Sequence, residues 1–418
     1  MCVREKKYSL IRDIIEPHWH EYQQMYPRMH SRIVNAVENM RICRTKALGV
    51  NEYVCPDCGE LKTVYHSCKH RFCPQCGQTD TNKWAQKILT KLIDIKHYHV
   101  VITIPHELND LFRYNEKLLY GLFMKVLSEV LVNWFREKHN LIPGIMEVYH
   151  SFGSDLKYHN HLHVLVSAGG LTPDYKAVKE ISMDYLINAD WLMRKFRWSF
   201  EKALFNHFDK GDLRMPPELD KRYFRKFVKD VNQKGNWVAF VCPNALSNPL
   251  DIIGYICRYS KRACISEYRI ESVTRESVTF TYKDYKAIKK GDKEIIKKVT
   301  LPWCQFLNRL FQHIPHKGFR MVRYYGIYNN SVIGRIPEEF HYNPEHHVKE
   351  IMQEKSDKKI KMDRNCTSYK EYLLLSTQIK GYFCETCKEE YQLISRKYNK
   401  NKIKFNNEFE QPKYANTG

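Results

Sequence analysis

Tyr158-His-Asn-His161-Leu-His163-Val-Leu-Val166 alternates polar and apolar residues, the period-2 pattern of a strand with two unlike faces. His161, His163 and Leu165 then share one face, and Leu162, Val164 and Val166 the other. Two neutral imidazoles pointing the same way can hold one divalent ion and leave positions open for a phosphate oxygen and water. A pair of hydrogen-bonded sheet histidines would give the same pattern. His-x-His also occurs at His18/His20, His97/His99 and His159/His161, so the spacing alone carries little information.

Around this strand, β-branched density predicts further strands over 98–105, 145–150 and 237–242, and a hairpin over 268–282 turning at Arg275-Glu-Ser. Leu119, Phe123, Val126, Leu127, Val130 and Trp134 form one apolar helical stripe, with the helix ending near Asn140 and Pro143-Gly144 expected as the turn. The sum is an α+β domain with a mainly antiparallel central sheet flanked by helices. Downstream, Asn248-Pro-Leu-Asp251 combines an N-cap, a first-turn proline and an early acidic residue, opening a helix through Tyr255 and Tyr259. At i and i+4 the two phenols leave one helix face about one turn apart, with Arg258 beside them and Lys261 and Arg262 following. A phenol of pKa about 10 is a weak nucleophile at neutral pH and needs a metal-polarised phosphate or a nearby cation to attack a phosphodiester. Packing is the competing account of such a pair in a chain with 28 tyrosines.

Upstream, Cys55/Cys58 and Cys73/Cys76 are two C-x-x-C pairs with fourteen residues between them. Each pair predicts a tight knuckle, and two knuckles supply the four thiolates of a closed, structural Zn²⁺ site whose folding is coupled to metal. Cys43, His66, Cys68 and His70 lie near enough for ligand exchange or a second ion; a redox pair and inert thiols are the competing accounts. Cys384/Cys387 is half a site, with His346, His347 or Cys366 as candidate partners.

The chain has 418 residues and carries Lys+Arg 68 against Asp+Glu 47, a net +21 that points to a polyanionic partner, nucleic acid foremost. Hydrophobic residues at 43% and aromatic ones at 13% argue against wholesale disorder. The charged start Met1-Cys-Val-Arg-Glu-Lys-Lys predicts no export signal, and the apolar runs 98–105 and 162–166 fall short of a bilayer span. Fourteen cysteines without such a signal read as thiols and metal ligands in a reducing cytoplasm. The expected division is an N-terminal helical zinc-binding, DNA-contacting module over 1–92, a larger domain over 93–330, and a basic extension with a frayed tail over 331–418. Basic and aromatic residues interleave at Arg320-Met-Val-Arg323-Tyr-Tyr325 and over 194–198, a mixture that grips phosphates and stacks bases, though ordinary amphipathic faces read alike. Lysines over 283–298 either track phosphates or sit on a solvated loop.

With these residues in view, the chain resembles the HUH endonucleases, and specifically the two-tyrosine transposases of the insertion-sequence ninety-one type. The resemblance is carried by His161-Leu-His163 followed by Gly169-Gly170, and by Tyr255-x-x-Arg-Tyr259. In the same order come Cys43-Arg-Thr with Cys55 to Cys76, Tyr98-His-Val-Val-Ile-Thr-Ile-Pro105, His150-Ser-Phe-Gly153, Tyr282-Lys-Asp-Tyr285, Pro315-His-Lys-Gly-Phe-Arg320 and Arg323-Tyr-Tyr-Gly326. It spans roughly residues 30 to 330, and Asn160 stands where related proteins often carry proline.

The resemblance implies the HUH nuclease fold and an enzyme that nicks single-stranded DNA and transfers the strand in rolling-circle-like transposition. Tyrosine attack would leave a 5′-phosphotyrosine link and a free 3′-hydroxyl, with Tyr255 and Tyr259 alternating, Arg258 beside them, and Arg262, Lys261, Arg320 and Arg323 as DNA contacts. It also implies Mg²⁺ or Mn²⁺ on His161 and His163, the imidazoles favouring Mn²⁺. His150 is the first candidate for third ligand, with Glu147 and His159 behind it. Partners would be single-stranded element ends and target, with room for host replication proteins, in a nucleoid-associated setting. A replication initiator or relaxase would share the chemistry. A non-catalytic, zinc-dependent DNA-binding regulator would not.

Overall fold

The computed structural model describes residues 10–70, 72–73, 76, 84–85, 87–181, 186–247, 249–259, 263–284, 295–342 and 384–397. Its strands are β1 (Val50–Val54), β2 (Leu61–Tyr65), β3 (His97–Thr103), β4 (Ile142–Phe152), β5 (Tyr158–Leu171) and β6 (Val178–Glu180). They continue with β7 (Val238–Val241), β8 (Ile270–Val273), β9 (Ser277–Lys283), β10 (Ile296–Pro302), β11 (Val322–Gly326) and β12 (Gln392–Lys397). The central sheet runs β11-β4-β5-β3-β7, with β6 added to β5, and every pairing in it is antiparallel.

Alternation on β5 is as the sequence predicts, over a longer strand. Leu162, Val164 and Val166, with Tyr98, Val100 and Ile102 of β3 and Ile145 and Tyr149 of β4, face a core closed by helices Asn109–Tyr114, Glu116–His139 and Ala189–Asp209. The other face carries Leu165 and Met146 against Ile252, Tyr255 and Ile256 of helix Pro249–Tyr259. The tyrosine helix therefore lies on the histidine side of the sheet.

Helix Glu116–His139 is long and apolar enough by length and composition to cross a membrane, yet 61% of its apolar window is buried inside the protein, where it forms the floor of the core. It ends at Asn140, whose left-handed φ of 51° reverses the chain. Pro143-Gly144, expected as the turn, instead lies inside β4 at a shift of its register with β5. The shift has a local cause: the Pro143 carbonyl accepts a hydrogen bond from Ile327 N–H at 3.0 Å, and the bare Gly144 admits the Tyr328 ring.

A second core joins the N-terminal helices Leu10–Ile15, Trp19–Met25 and Ser31–Arg41 to Cys43, Phe72, Cys73 and Cys76. It also takes in Val278 and Phe280 of β9, Leu301 of β10, and Phe306 and Leu307 of helix Trp303–Phe311. The expected hairpin is present as β8 and β9, and β10 adds a third strand to it. The expectation of a frayed tail is corrected at 392–397, where β12 pairs with β1 in the ribbon β12-β1-β2. His346, His347 and Cys366 lie outside the described residues.

Candidate active site and metal centres

The cross-strand register sets His150 of β4 opposite His161 of β5, and Val101 of β3 opposite His163. One ring nitrogen from each of His150, His161 and His163 can be chosen so that all lie within 4.8 Å of one another. Each ring is steered by its other nitrogen. His161 Nδ1–H donates to the His159 carbonyl at 3.0 Å, and His150 Nε2–H donates to the Tyr259 carbonyl at 2.7 Å. His163 Nδ1 lies 3.0 Å from His99 Nε2. His161 Nε2 and His163 Nε2 then face each other at 3.2 Å. Two imidazole nitrogens about 2.1 Å from one ion stand about 3.0 Å apart at a right angle and about 3.4 Å at the tetrahedral angle. The donor set thus fits a divalent cation.

Burial holds both His161 and His163 well below the ordinary histidine range, and the neighbouring imidazoles add to it. His99 is pushed down to about 4 by burial, reinforced by Arg258. All three rings are neutral near pH 7, the state in which an imidazole binds metal. His99 was not singled out from the sequence. Its signal was there: it alternates with Tyr98 and Val100 on a strand next to the His161 strand.

Helix Pro249–Tyr259 brings both phenols to this cluster. The Tyr259 ring stacks on His163 with centroids 4.0 Å apart, and the Tyr255 ring meets the His99 ring edge at 4.9 Å. The two phenol rings are 5.0 Å apart. Tyr259 is half-buried, whereas Tyr255 is 5% exposed, and its hydroxyl has no hydrogen-bond partner among the described residues. Burial, with Tyr259 adding, pushes the Tyr255 phenol well above its ordinary value. Arg258 is exposed, its guanidinium 5.9 Å from the Tyr259 ring centre. Lys261 and Arg262 lie outside the described residues.

The fallback ligands part company with the cluster. Glu147 is odd where His150 is even, so β4 turns its carboxylate to the opposite face, where burial raises its pKa well above the usual range and Arg323 partly offsets the rise. His159 stays exposed at the strand's start. Arg323, expected as a DNA contact, is half-buried beside Gly121 of the long helix, 5.5 Å from the Phe319 ring, while Arg320 is exposed. On the far side of the sheet, Trp198 is 59% exposed and flanked by Lys195 and Lys202 at 5.1 and 5.5 Å. Asn160 is buried, accepting from the Tyr149 hydroxyl and donating to Asn109 Oδ1 at 2.9 Å, so it ties β4, β5 and helix Asn109–Tyr114 together.

The expected zinc set is corrected. Cys73 and Cys76 gather with Cys43 and Cys68, while Cys55 and Cys58 gather with Cys384 and Cys387. The β1–β2 hairpin carries the Cys55 knuckle away from Cys73, and the chain just after helix Ser31–Arg41 brings Cys43 in its place. Cys68 Sγ and Cys76 Sγ are 3.6 Å apart, near the roughly 3.8 Å edge of a tetrahedral zinc–thiolate site. Four thiols with no fifth donor among the described residues fit a structural Zn²⁺. His66 is engaged by Leu48 O and Asn51 Oδ1 at 3.1 and 2.9 Å, and His70 Nδ1 accepts from Phe72 N–H at 3.3 Å, so neither joins the set.

Residues 144–334 match the family described as "Putative transposase", and residues 14–104 match the IS91 "Transposase zinc-binding domain". The "Transposase for insertion sequence element IS801" of Pseudomonas savastanoi pv. phaseolicola is 31% identical over 310 residues, 72% of this chain and 72% of its own. The "Putative transposase y4qJ" of Sinorhizobium fredii is 29% identical over 329 residues, 77% of this chain and 80% of its own. No solved structure matches.

Proposed function

The chain belongs to the IS91-type transposase family, and on that premise we propose that it nicks and rejoins single-stranded DNA through a 5′-phosphotyrosine link in rolling-circle-like transposition. The observation that carries the reading is the Tyr259 ring lying 4.0 Å from His163, within a cluster of three imidazoles that could share one ion. A Mg²⁺ or Mn²⁺ ion held by His150, His161 and His163 would polarise the scissile phosphate. The tyrosine helix does the rest: it sets one half-exposed phenol against the cluster and a second, buried one a turn away. Attack by a phenol oxygen on phosphorus forms the Tyr–O–P bond and breaks the P–O3′ bond, leaving a 3′-hydroxyl. The phosphodiester is exchanged and not hydrolysed, so rejoining needs no ATP. Tyr259, the more accessible, acts first in this reading, and Tyr255 serves the second cleavage.

The substrate grip follows from charge: a net +21, with Arg258 and Arg320 on the surface, favours a polyanion and predicts binding that weakens steeply with salt. The site of action is the DNA of the bacterial cytoplasm. A labelled single strand carrying the element end, incubated with Mn²⁺, tests the mechanism. The parent forms a covalent protein–DNA adduct, and the double variant Tyr255→Phe, Tyr259→Phe forms none. An adduct that persists in the double variant refutes the nucleophile assignment; one that persists in both His161→Ala and His163→Ala refutes the metal site. DNA binding with no adduct in the parent would favour the regulator.

A further inference from the structure

Cys55-Pro-Asp-Cys58-Gly-Glu60 and Cys384-Glu-Thr-Cys387-Lys-Glu389 are built to one backbone plan. Cys55 N–H donates to Glu60 O at 2.8 Å and Gly59 N–H to Cys55 O at 3.0 Å; Cys384 N–H donates to Glu389 O at 2.8 Å and Lys388 N–H to Cys384 O at 3.0 Å. The residue after the second cysteine is left-handed in both, φ 74° at Gly59 and 64° at Lys388. A lysine does not adopt that region by its own preference, so the second knuckle is held in shape by what it packs against.

What it packs against is the first knuckle. Cys58 Sγ and Cys384 Sγ are 3.6 Å apart although 326 positions separate them, and the four sulfurs lie within 4.8 Å of one another. A disulfide would need sulfurs about 2.05 Å apart in two pairs, whereas the edges of a zinc–thiolate tetrahedron are about 3.8 Å. Among the described residues, the surrounding apolar cluster consists of Cys55, Cys384 and Tyr391 with Tyr53 and Cys387 at its margin. So small a core cannot hold a three-stranded ribbon unaided; domains of this scale rely on a metal or a cross-link.

We propose that Cys55, Cys58, Cys384 and Cys387 form a second structural zinc site, half from each end of the chain, which clamps segment 384–397 onto β1. The matched zinc-binding domain, residues 14–104, contains only half of these ligands. The site makes the N-terminal module complete only when the far end of the chain has docked.

Metal analysis of the full-length protein tests this, with two zinc ions per chain expected from the two four-cysteine clusters. The variant Cys384→Ser, Cys387→Ser retains one, and amides over 50–65 exchange at least ten-fold faster while those of β3–β5 keep their rates. The control Cys242→Ser, Cys304→Ser keeps two. If the first variant does not fold, the parent decides: cobalt substitution should show two tetrathiolate centres. One zinc in the parent, two in Cys384→Ser, Cys387→Ser, or a mass showing a disulfide among these cysteines overturns the proposal.

Discussion

At the residue scale, the three sheet histidines become a donor set because their remaining nitrogens are already committed: His161 to the His159 carbonyl, His150 to the Tyr259 carbonyl, and His163 to His99. Were His163 Nε2 to hold the proposed ion, its Nδ1–H would donate to His99 Nε2, 3.0 Å away, and His99 would orient the ligand without touching the ion. Outer partners of this kind are worth about 10–100-fold in metal affinity. His99→Ala should therefore raise the Mn²⁺ concentration at half-maximal nicking by about that factor, with cleavage recovered at high Mn²⁺; an unchanged midpoint would remove His99 from the site. Tyr255 offers a cleaner separation of chemistry from folding. Its buried hydroxyl lacks a partner among the described residues, and an unsatisfied buried polar group costs about 1–3 kcal/mol. Tyr255→Phe should leave the urea midpoint unchanged or higher, so loss of the second cleavage there, with the first adduct on Tyr259 retained, reports lost chemistry.

At the element scale, the end of the sheet where β4 begins and β5 and β11 finish depends on close backbone approach. A Cβ at Gly170 would overlap the Ile142 carbonyl oxygen, and one at Gly326, already left-handed at φ 58°, would overlap the Pro143 carbonyl. Neither neighbour is a flexible side-chain tip that can swing aside. Gly170→Ala should therefore lower stability by about 2–3 kcal/mol, read as a fall in the urea midpoint at constant slope. A shift within about 0.5 kcal/mol would show that β4 and β5 can part there without loss. The same glycine belongs to the Gly169-Gly170 pair near the end of β5, downstream of the histidines on that strand, and its role is one of clearance, remote from the ring nitrogens.

At the scale of the whole molecule, two buried histidines away from the ligand cluster set an acid limb on stability. His97 donates from Nδ1 to the Ile95 carbonyl at 2.9 Å and accepts the Tyr328 hydroxyl at Nε2 at 2.6 Å; His313 sits between Ser151 Oγ and the Leu156 carbonyl at 3.1 and 3.0 Å. Burial pushes each down to about 4 from the ordinary 6.5. Between those values the unfolded chain binds the extra proton, so stability is full above about 6.5, falls as pH drops toward about 4, and loses nothing further from these groups below that. Each shift is worth about 3 kcal/mol over that window. Urea midpoints from pH 7.5 to 4.5 should fall steeply in the parent and less steeply in His313→Asn, and equal slopes would place the acid sensitivity elsewhere.

What the sequence determined by itself were the features set by a local backbone period: the two faces of β5, the i,i+4 tyrosine pair, the knuckles, and the antiparallel α+β class. These follow from the two-residue repeat of a strand and the 3.6-residue repeat of a helix, which the chain carries wherever it folds. Tertiary structure alone decided which distant pieces meet. The β4–β5 register placed His150, and not Glu147, across from His161, because one step along a strand exchanges faces. Pairing of β11 with β4 turned Arg323 in against the long helix, out of the exposed track that its neighbours suggested. The cysteines were shared out between two clusters by the β12–β1 pairing, across 326 positions between Cys58 and Cys384. No periodicity encodes such a partner choice; it is set by which surfaces pack when the chain closes on itself.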